Sequence, residues 1–231
     1  MLNPINWQII ATRKEEWVAF LLIKIGLEEA FRMQNKSKLF STQNLVKMGI
    51  LSALAIVLMR VLEIPLPIFP AFLKIDFGDV PAVIAALIIN PLAGVVVVII
   101  KNLLALLNSS TGGVGEIANV VVGISFVLPI GLCTYKNSSL KNTILGMGFG
   151  ILCMIIAGMV TNALITMPLY GEEACIGLGA AINPNIVDKW TFLLYVIAPF
   201  NLIKGILVSA VGVIVVKGMQ PVFKHLRARQ A

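Results

Sequence analysis

The residues of this 231-residue chain that are able to do chemistry lie inside apolar sequence, where a polar group is costly and its placement therefore informative. Gly158, Asn162, Thr166 and Tyr170 recur every four residues and fall along one helix face. Asn201 and Lys204, three apart, share another face just after Pro199, a residue able to kink a helix and free backbone carbonyls. Counted inward at helical rise from Glu172 and Asp188, Asn162 and Asn201 reach similar depths. Lys204 is too deep to snorkel, so it demands a partner or a watery cavity, and Asp79 and Glu116 are the candidate partners. The run Thr111-Gly112-Gly113-Val114-Gly115-Glu116 is a flexible entry to a helix that carries Asn119 and Gly123 on the Glu116 face. Each feature has a plainer reading: Asn and Thr also glue membrane helices together, and a glycine run is also an ordinary turn.

Other chemistries lack their residues. The sequence has no GxxxxGK[ST] phosphate loop and no HExxH, and its one histidine, His225, sits in a basic tail. No Ser/His/Asp or paired-carboxylate arrangement suits an intramembrane hydrolase. Cys133, Cys153 and Cys175 lack metal or disulfide spacing and read as small packing residues, so no metal site is expected.

The elements that must position these residues follow from composition. Hydrophobic residues make up 58% and charged ones only 13%, against roughly 25% charged in soluble domains, and the mean hydropathy is +0.96. A water-soluble globule is excluded. The net charge of +7 forms no patch interleaved with aromatics, so the expected partner is the bilayer surface and not nucleic acid. Apolar runs near 20 residues match a hydrocarbon core about 30 Å thick. Four are clear: Leu45 to Leu62, Gly115 to Leu132, Thr143 to Leu169 and Thr191 to Val216. Val80 to Leu107 is too long for one span and splits into two short helices at Asn90-Pro91, where the proline lacks an N–H. The predicted fold is thus an all-α membrane protein of six transmembrane helices, with residues 33–231 as a single domain. Interrupted helices of this kind often border a cavity.

Charge sets the orientation. Lys36, Lys38, Lys47, Lys136, Lys141, Lys217, Lys224, Arg227 and Arg229 fall on one side, against Arg60, Lys74, Lys101 and Lys189 on the other. The positive-inside rule then places both termini in the cytoplasm and leaves Lys204 as the one lysine well inside a span. Residues 1–32 differ in character: Trp17 to Ile25 is too short to span and is flanked by charges, which suits an interfacial helix. With Met33 a natural restart, this segment is read as a doubtful N-terminal extension. The outer loop Glu63 to Lys74 combines three prolines with Phe69 and Phe72 and reads either as an interfacial hairpin or as a stiff apolar lid. The lid is preferred because a short span, with Asp76 and Asp79, follows directly.

In this order, Lys74-Ile75-Asp76-Phe77-Gly78-Asp79-Val80-Pro81-Ala82, Asn90-Pro91-Leu92-Ala93-Gly94, Lys101-Asn102, Thr111 to Asn119, and Pro199-Phe200-Asn201-Leu202-Ile203-Lys204-Gly205 resemble the riboflavin-binding S component (RibU type) of energy-coupling factor (ECF) transporters. The similarity covers roughly Leu39 to Val216. It implies a non-enzymatic subunit of the bacterial cell membrane that captures riboflavin from outside. Delivery would follow docking on a transmembrane coupling subunit driven by two ATPase subunits. No cofactor is implied, since the flavin is cargo, with FMN as an alternative flavin. The small-residue face that meets the coupling subunit in this family has its nearest equivalent in Gly49-xxx-Ala53, with Ala55 off that face.

Flavin chemistry suits the polar residues: an apolar ring with an imide-like edge needs apolar walls and a few oriented donors and acceptors. On that reading Asn162, Asn201 and Lys204 meet the ring, Glu116 and Asn119 meet ribityl hydroxyls near the mouth, and Thr166, Phe69, Leu73 and Asp79 complete the substrate site. Alternatives are an S component for folate or pantothenate, which should want more than one deep basic residue, and a proton-coupled carrier, which needs a mid-span acid. A lipid-headgroup enzyme would need a richer acid cluster than Asp76 and Asp79.

Overall fold

Side-chain caps mark where four of the helices begin. A computed structural model of the chain describes residues 39–137 and 139–228, with backbone alone from 219 onward. The segment 1–32 and the restart at Met33 lie outside the described residues. Ser41 accepts from Asn44 N to open α1, Thr42–Val61. Helix α2, Asp79–Ile88, ends just before Asn90, whose Oδ1 accepts from Ala93 N at 2.8 Å and starts α3, Pro91–Leu106, with proline in its first turn. The break expected at Asn90-Pro91 is therefore a cap between two short helices.

Helix α4, Val114–Tyr135, follows the left-handed Gly112 and Gly113, at φ 63° and 91°. Ser139 caps α5, Leu140–Thr161, and a capping box of Asp188 with Thr191 opens α8, Lys189–Phe192. Four helical segments are long and apolar enough to cross a membrane, namely Thr42–Val61, Val114–Tyr135, Leu140–Tyr170 and Lys189–Gly218, and α2 and α3 are shorter apolar helices.

The structure differs from the sequence reading in four respects. Two long helices are not α-helical throughout: α5 passes through a π turn, Asn162–Thr166, into α6, Met167–Tyr170, and α8 passes through another, Leu193–Ile197, into α9, Ala198–Ala228. Each π turn ends two residues before a proline, Pro168 or Pro199, which has no N–H to close the regular ladder. The outer loop is pinned by a minimal antiparallel pair, β1 (Ile64–Pro65) with β2 (Lys74–Ile75), so the fold is not purely helical. A further helix, α7, Glu172–Ala180, follows Gly171 at φ 91°. Of the cysteines, Cys175 is buried as expected, whereas Cys133 is exposed and does not pack in the core.

One apolar cluster joins α1 through α5 with α9 and includes Ala55, Val83, Val97, Phe126, Met154 and Val208. A second gathers Phe69, Ile75, Met167, Cys175, Phe192 and Phe200 under the β-hairpin. The candidate site lies beside this second cluster.

Candidate functional site

The two π turns deliver the two asparagines. Asn162 opens the first π turn and lies 6% exposed; Asn201 follows the second by four residues and lies 4% exposed. Each amide donates Nδ2–H to the carbonyl four residues earlier, Asn162 to Gly158 O at 2.8 Å and Asn201 to Ile197 O at 2.9 Å. One amide hydrogen and the carbonyl oxygen of each remain for another partner. Gly158 is where the helices meet: a Cβ there would collide with the Asn201 amide, which would have to shift to admit it. Thr166 Oγ1 is buried without a hydrogen-bond partner among the described residues.

Asn162, Thr166, Asn201 and Lys204 line one pocket with Glu116, Asn119 and Leu73, so seven of the nine substrate-site residues expected from the sequence converge. Two do not line it. Phe69 stacks edge-on behind Phe200, ring centroids 5.4 Å apart, and the phenylalanine of the loop that faces the pocket is Phe72. Phe72 in turn meets the edge of Tyr170 at 5.6 Å, and Tyr170 donates to Thr111 O at 3.2 Å, which ties loop, α6 and the glycine-rich entry together. The proline-rich segment is both a small hairpin and a wall of the pocket.

Asp79 is the second exception, and the expected pairing of Lys204 is corrected with it. Lys204 Nζ donates to Asp76 Oδ2 at 2.7 Å and to Asn119 Oδ1 at 3.3 Å. Asp79 instead meets Lys101 at 2.7 Å, an ion pair whose angle is too poor for a directed hydrogen bond. Lys101 also lies 3.7 Å from Asp76 Oδ1. Lys101, placed by the charge count on the outer side, is 0% exposed, so Lys204 is not the one deep lysine. The signal for it is Val95-Val96-Val97-Val98-Ile99-Ile100-Lys101, a lysine ending an apolar run inside a helix.

Glu116 is not a partner of Lys204 either. Its Oε2 accepts from Thr111 Oγ1 at 2.7 Å and Ser109 Oγ at 2.8 Å, and its Oε1 lies 3.4 Å from Arg60 Nη2. Ser109 and Thr111 then take backbone N–H groups from Gly113 and Gly115, so the glycine-rich run is a turn folded around a carboxylate. Arg60 donates to Ala105 O and Asn108 O, satisfying carbonyls at the end of α3. Arg60 is a pocket residue whose role spacing alone does not reveal, because its partners Ala105, Asn108 and Glu116 are distant in sequence.

Burial alone would raise the Asp76 carboxyl, but Lys204, Lys101 and the Gly78 N–H, 2.9 Å from Oδ1, outweigh it and hold the group well below the usual carboxylate range. Asp76 stays ionised at neutral pH. The pocket therefore offers an ammonium neutralised by a carboxylate, three amides, an unpartnered hydroxyl and apolar walls.

Long apolar helices around such a pocket define a membrane-embedded small-molecule binder. The sequence matches the family model described as "ECF transporter, substrate-specific component" over residues 43–216, and the chain belongs to that family. As a member it is a multi-pass protein of the bacterial cell membrane. It is 35% identical over 191 residues to a protein of Bacillus subtilis (strain 168) named riboflavin transporter FmnP, covering 80% of this chain and 96% of that one. It is also 35% identical to riboflavin transporter RibU of Staphylococcus aureus (strain TCH60), covering 84% of this chain and all of that one. The solved structure titled "Structure and mechanism of the S component of a bacterial ECF transporter" matches with a TM-score of 0.63 at 32% identity, covering 78% of this chain and 96% of that one.

Proposed function

We propose that this chain captures riboflavin from the extracellular side and releases it when docked on an ECF coupling module. The observation that carries this reading is the convergence of Asn162, Thr166, Asn201 and Lys204 on one pocket in a chain 35% identical to proteins named riboflavin transporters. The asparagines read the imide-like ring edge, Lys204 donates to a ring carbonyl or nitrogen, and Asn119 with Glu116 receives the ribityl chain. Phe72, Leu73 and Phe200 supply apolar wall, with Phe69 bracing Phe200 from behind. Asp79 does not line the pocket and is paired with Lys101.

A carboxylate-bearing vitamin such as folate or pantothenate fits less well. Lys204 is already neutralised by Asp76, and Lys101 by Asp79, so neither deep ammonium is left to pair with a ligand's charge. FMN would have to place its phosphate at the mouth.

In this reading α2 and α3 join the four long segments as six membrane helices, with both termini cytoplasmic and the pocket outside. Gly49 and Ala53 lie on the exposed side of α1, opposite buried Ala55, and form the face that meets the transmembrane coupling subunit, itself driven by two ATPase subunits. The direct test is the visible absorption of the detergent-purified protein. A co-purified or titrated flavin band at one equivalent is the expected result, and a protein that stays colourless at saturating riboflavin overturns the proposal.

A further inference from the structure

Five charged side chains are buried among the described residues: Asp76, Asp79, Lys101, Glu116 and Lys204. Four of them form one row of alternating sign. Lys204 Nζ is 2.7 Å from Asp76 Oδ2, Asp76 Oδ1 is 3.7 Å from Lys101 Nζ, and Lys101 Nζ is 2.7 Å from Asp79 Oδ1. The first two line the pocket; the second two do not. Apolar side chains of similar volume would hold α2 against α3 at least as well as a buried ion pair does. Packing therefore gives no reason for Lys101 and Asp79.

A reason appears at Asp76. It stands on the short link between β2 and α2, and its two oxygens are held differently. Oδ2 takes Lys204, while Oδ1 takes Gly78 N–H and faces Lys101. The Lys204 ammonium has three N–H donors, of which Asp76 and Asn119 take two. Without Lys101, the Gly78 N–H alone would hold Oδ1, leaving the carboxylate able to turn both oxygens to the Lys204 ammonium and occupy the third donor. Asp79 holds Lys101 in place from 2.7 Å, and Gly123 of α4 makes room for it, since a Cβ there would sit 3.1 Å from Asp79 Oδ1.

We infer that Lys101, held by Asp79, is a positioning residue for ligand capture: it keeps one oxygen of Asp76 off Lys204, so that one N–H of Lys204 stays open to the pocket. This rests on the riboflavin reading above, and it predicts an effect on affinity from residues that do not line the pocket.

The test uses the full chain in detergent, with riboflavin titrated by quenching of its fluorescence and the bound flavin's visible absorption recorded. Lys101→Met/Asp79→Asn removes the second pair while keeping the row neutral, and Lys101→Gln/Asp79→Asn leaves a hydrogen-bonding pair of similar size should the first fold poorly. Either folded variant is expected to keep its ligand-free unfolding midpoint, to bind riboflavin about fivefold or more weakly, and to move the bound-flavin band in the direction that Lys204→Met moves it. Affinity within about twofold of wild type in a folded variant overturns the inference, as does weaker binding with an unshifted band. Wild-type protein that binds no flavin overturns the functional reading, and this inference falls with it.

Discussion

At the scale of single residues, Lys204 combines two functions that a mutation would confound. It is a donor to the pocket and half of a buried ion pair with Asp76, 2.7 Å away. Removing one partner of such a pair costs about 3–5 kcal/mol because the other charge is left behind, whereas losing a hydrogen bond from a charged donor to a ligand costs on the order of 1.5–3 kcal/mol. Lys204→Met is therefore expected to lose stability as well as riboflavin affinity. Lys204→Met/Asp76→Asn, with both charges gone, should recover much of the thermal midpoint while binding stays about ten- to a hundredfold weaker. Calorimetric affinity and ligand-free melting of the two variants decide it: if the double variant regains wild-type affinity, Lys204 holds helices together and does not hold the ligand.

At the scale of elements, much of the site is legible in the sequence because membrane helices expose polar residues sparingly. The four-residue stripe Gly158, Asn162, Thr166 and Tyr170 and the Asn201–Lys204 pair read directly off the sequence, and the structure brings them together. Helix geometry and long-range pairing stay hidden there. A four-residue spacing drifts about 40° per step around an α-helix, and a π turn, with more residues per turn, takes some of that drift back. The π turn at Asn162–Thr166 thus keeps the stripe facing one pocket, a correction that no 3.6-residue template contains. The partner of Lys204 is hidden for a different reason: Asp76 is 128 residues away, on a link between β2 and α2, and only packing selects it over Asp79. Gly158 offers the element-scale test. An added methyl would push the Asn201 amide out of the α5–α9 contact, and overpacking of this kind costs typically about 1–3 kcal/mol. Gly158→Ala should weaken flavin binding about tenfold or more while Gly148→Ala, at a site where nothing lies within 4 Å, changes neither affinity nor melting; equal behaviour of the two would refute the close-contact account.

At the scale of the whole molecule, the question is where the energy for uptake enters. Concentrating a vitamin needs an energy source, and an ion-coupled carrier would draw it from a group that titrates within the transport path. The buried carboxylates are already committed to partners within the chain, Asp76 between two lysines and Asp79 beside one, while Glu116 is held by Ser109, Thr111 and Arg60. The sequence has no GxxxxGK[ST] phosphate loop of the usual kind. On this reading capture and energy supply are divided between different chains, in keeping with membership among ECF substrate-specific components. The exposed side of α1, with Gly49 beside Ile50 and Ala53 beside Leu54, gives a helix surface smooth enough for another helix to approach closely. Purified chain reconstituted in liposomes should accordingly bind riboflavin at one equivalent without ATP yet fail to accumulate it against a gradient. Adding a coupling subunit and two ATPase subunits should restore accumulation, and Gly49→Leu/Ala53→Leu should abolish it while leaving flavin affinity within about twofold. Concentrative uptake by the single chain would place the energy source within these helices and refute the division of labour.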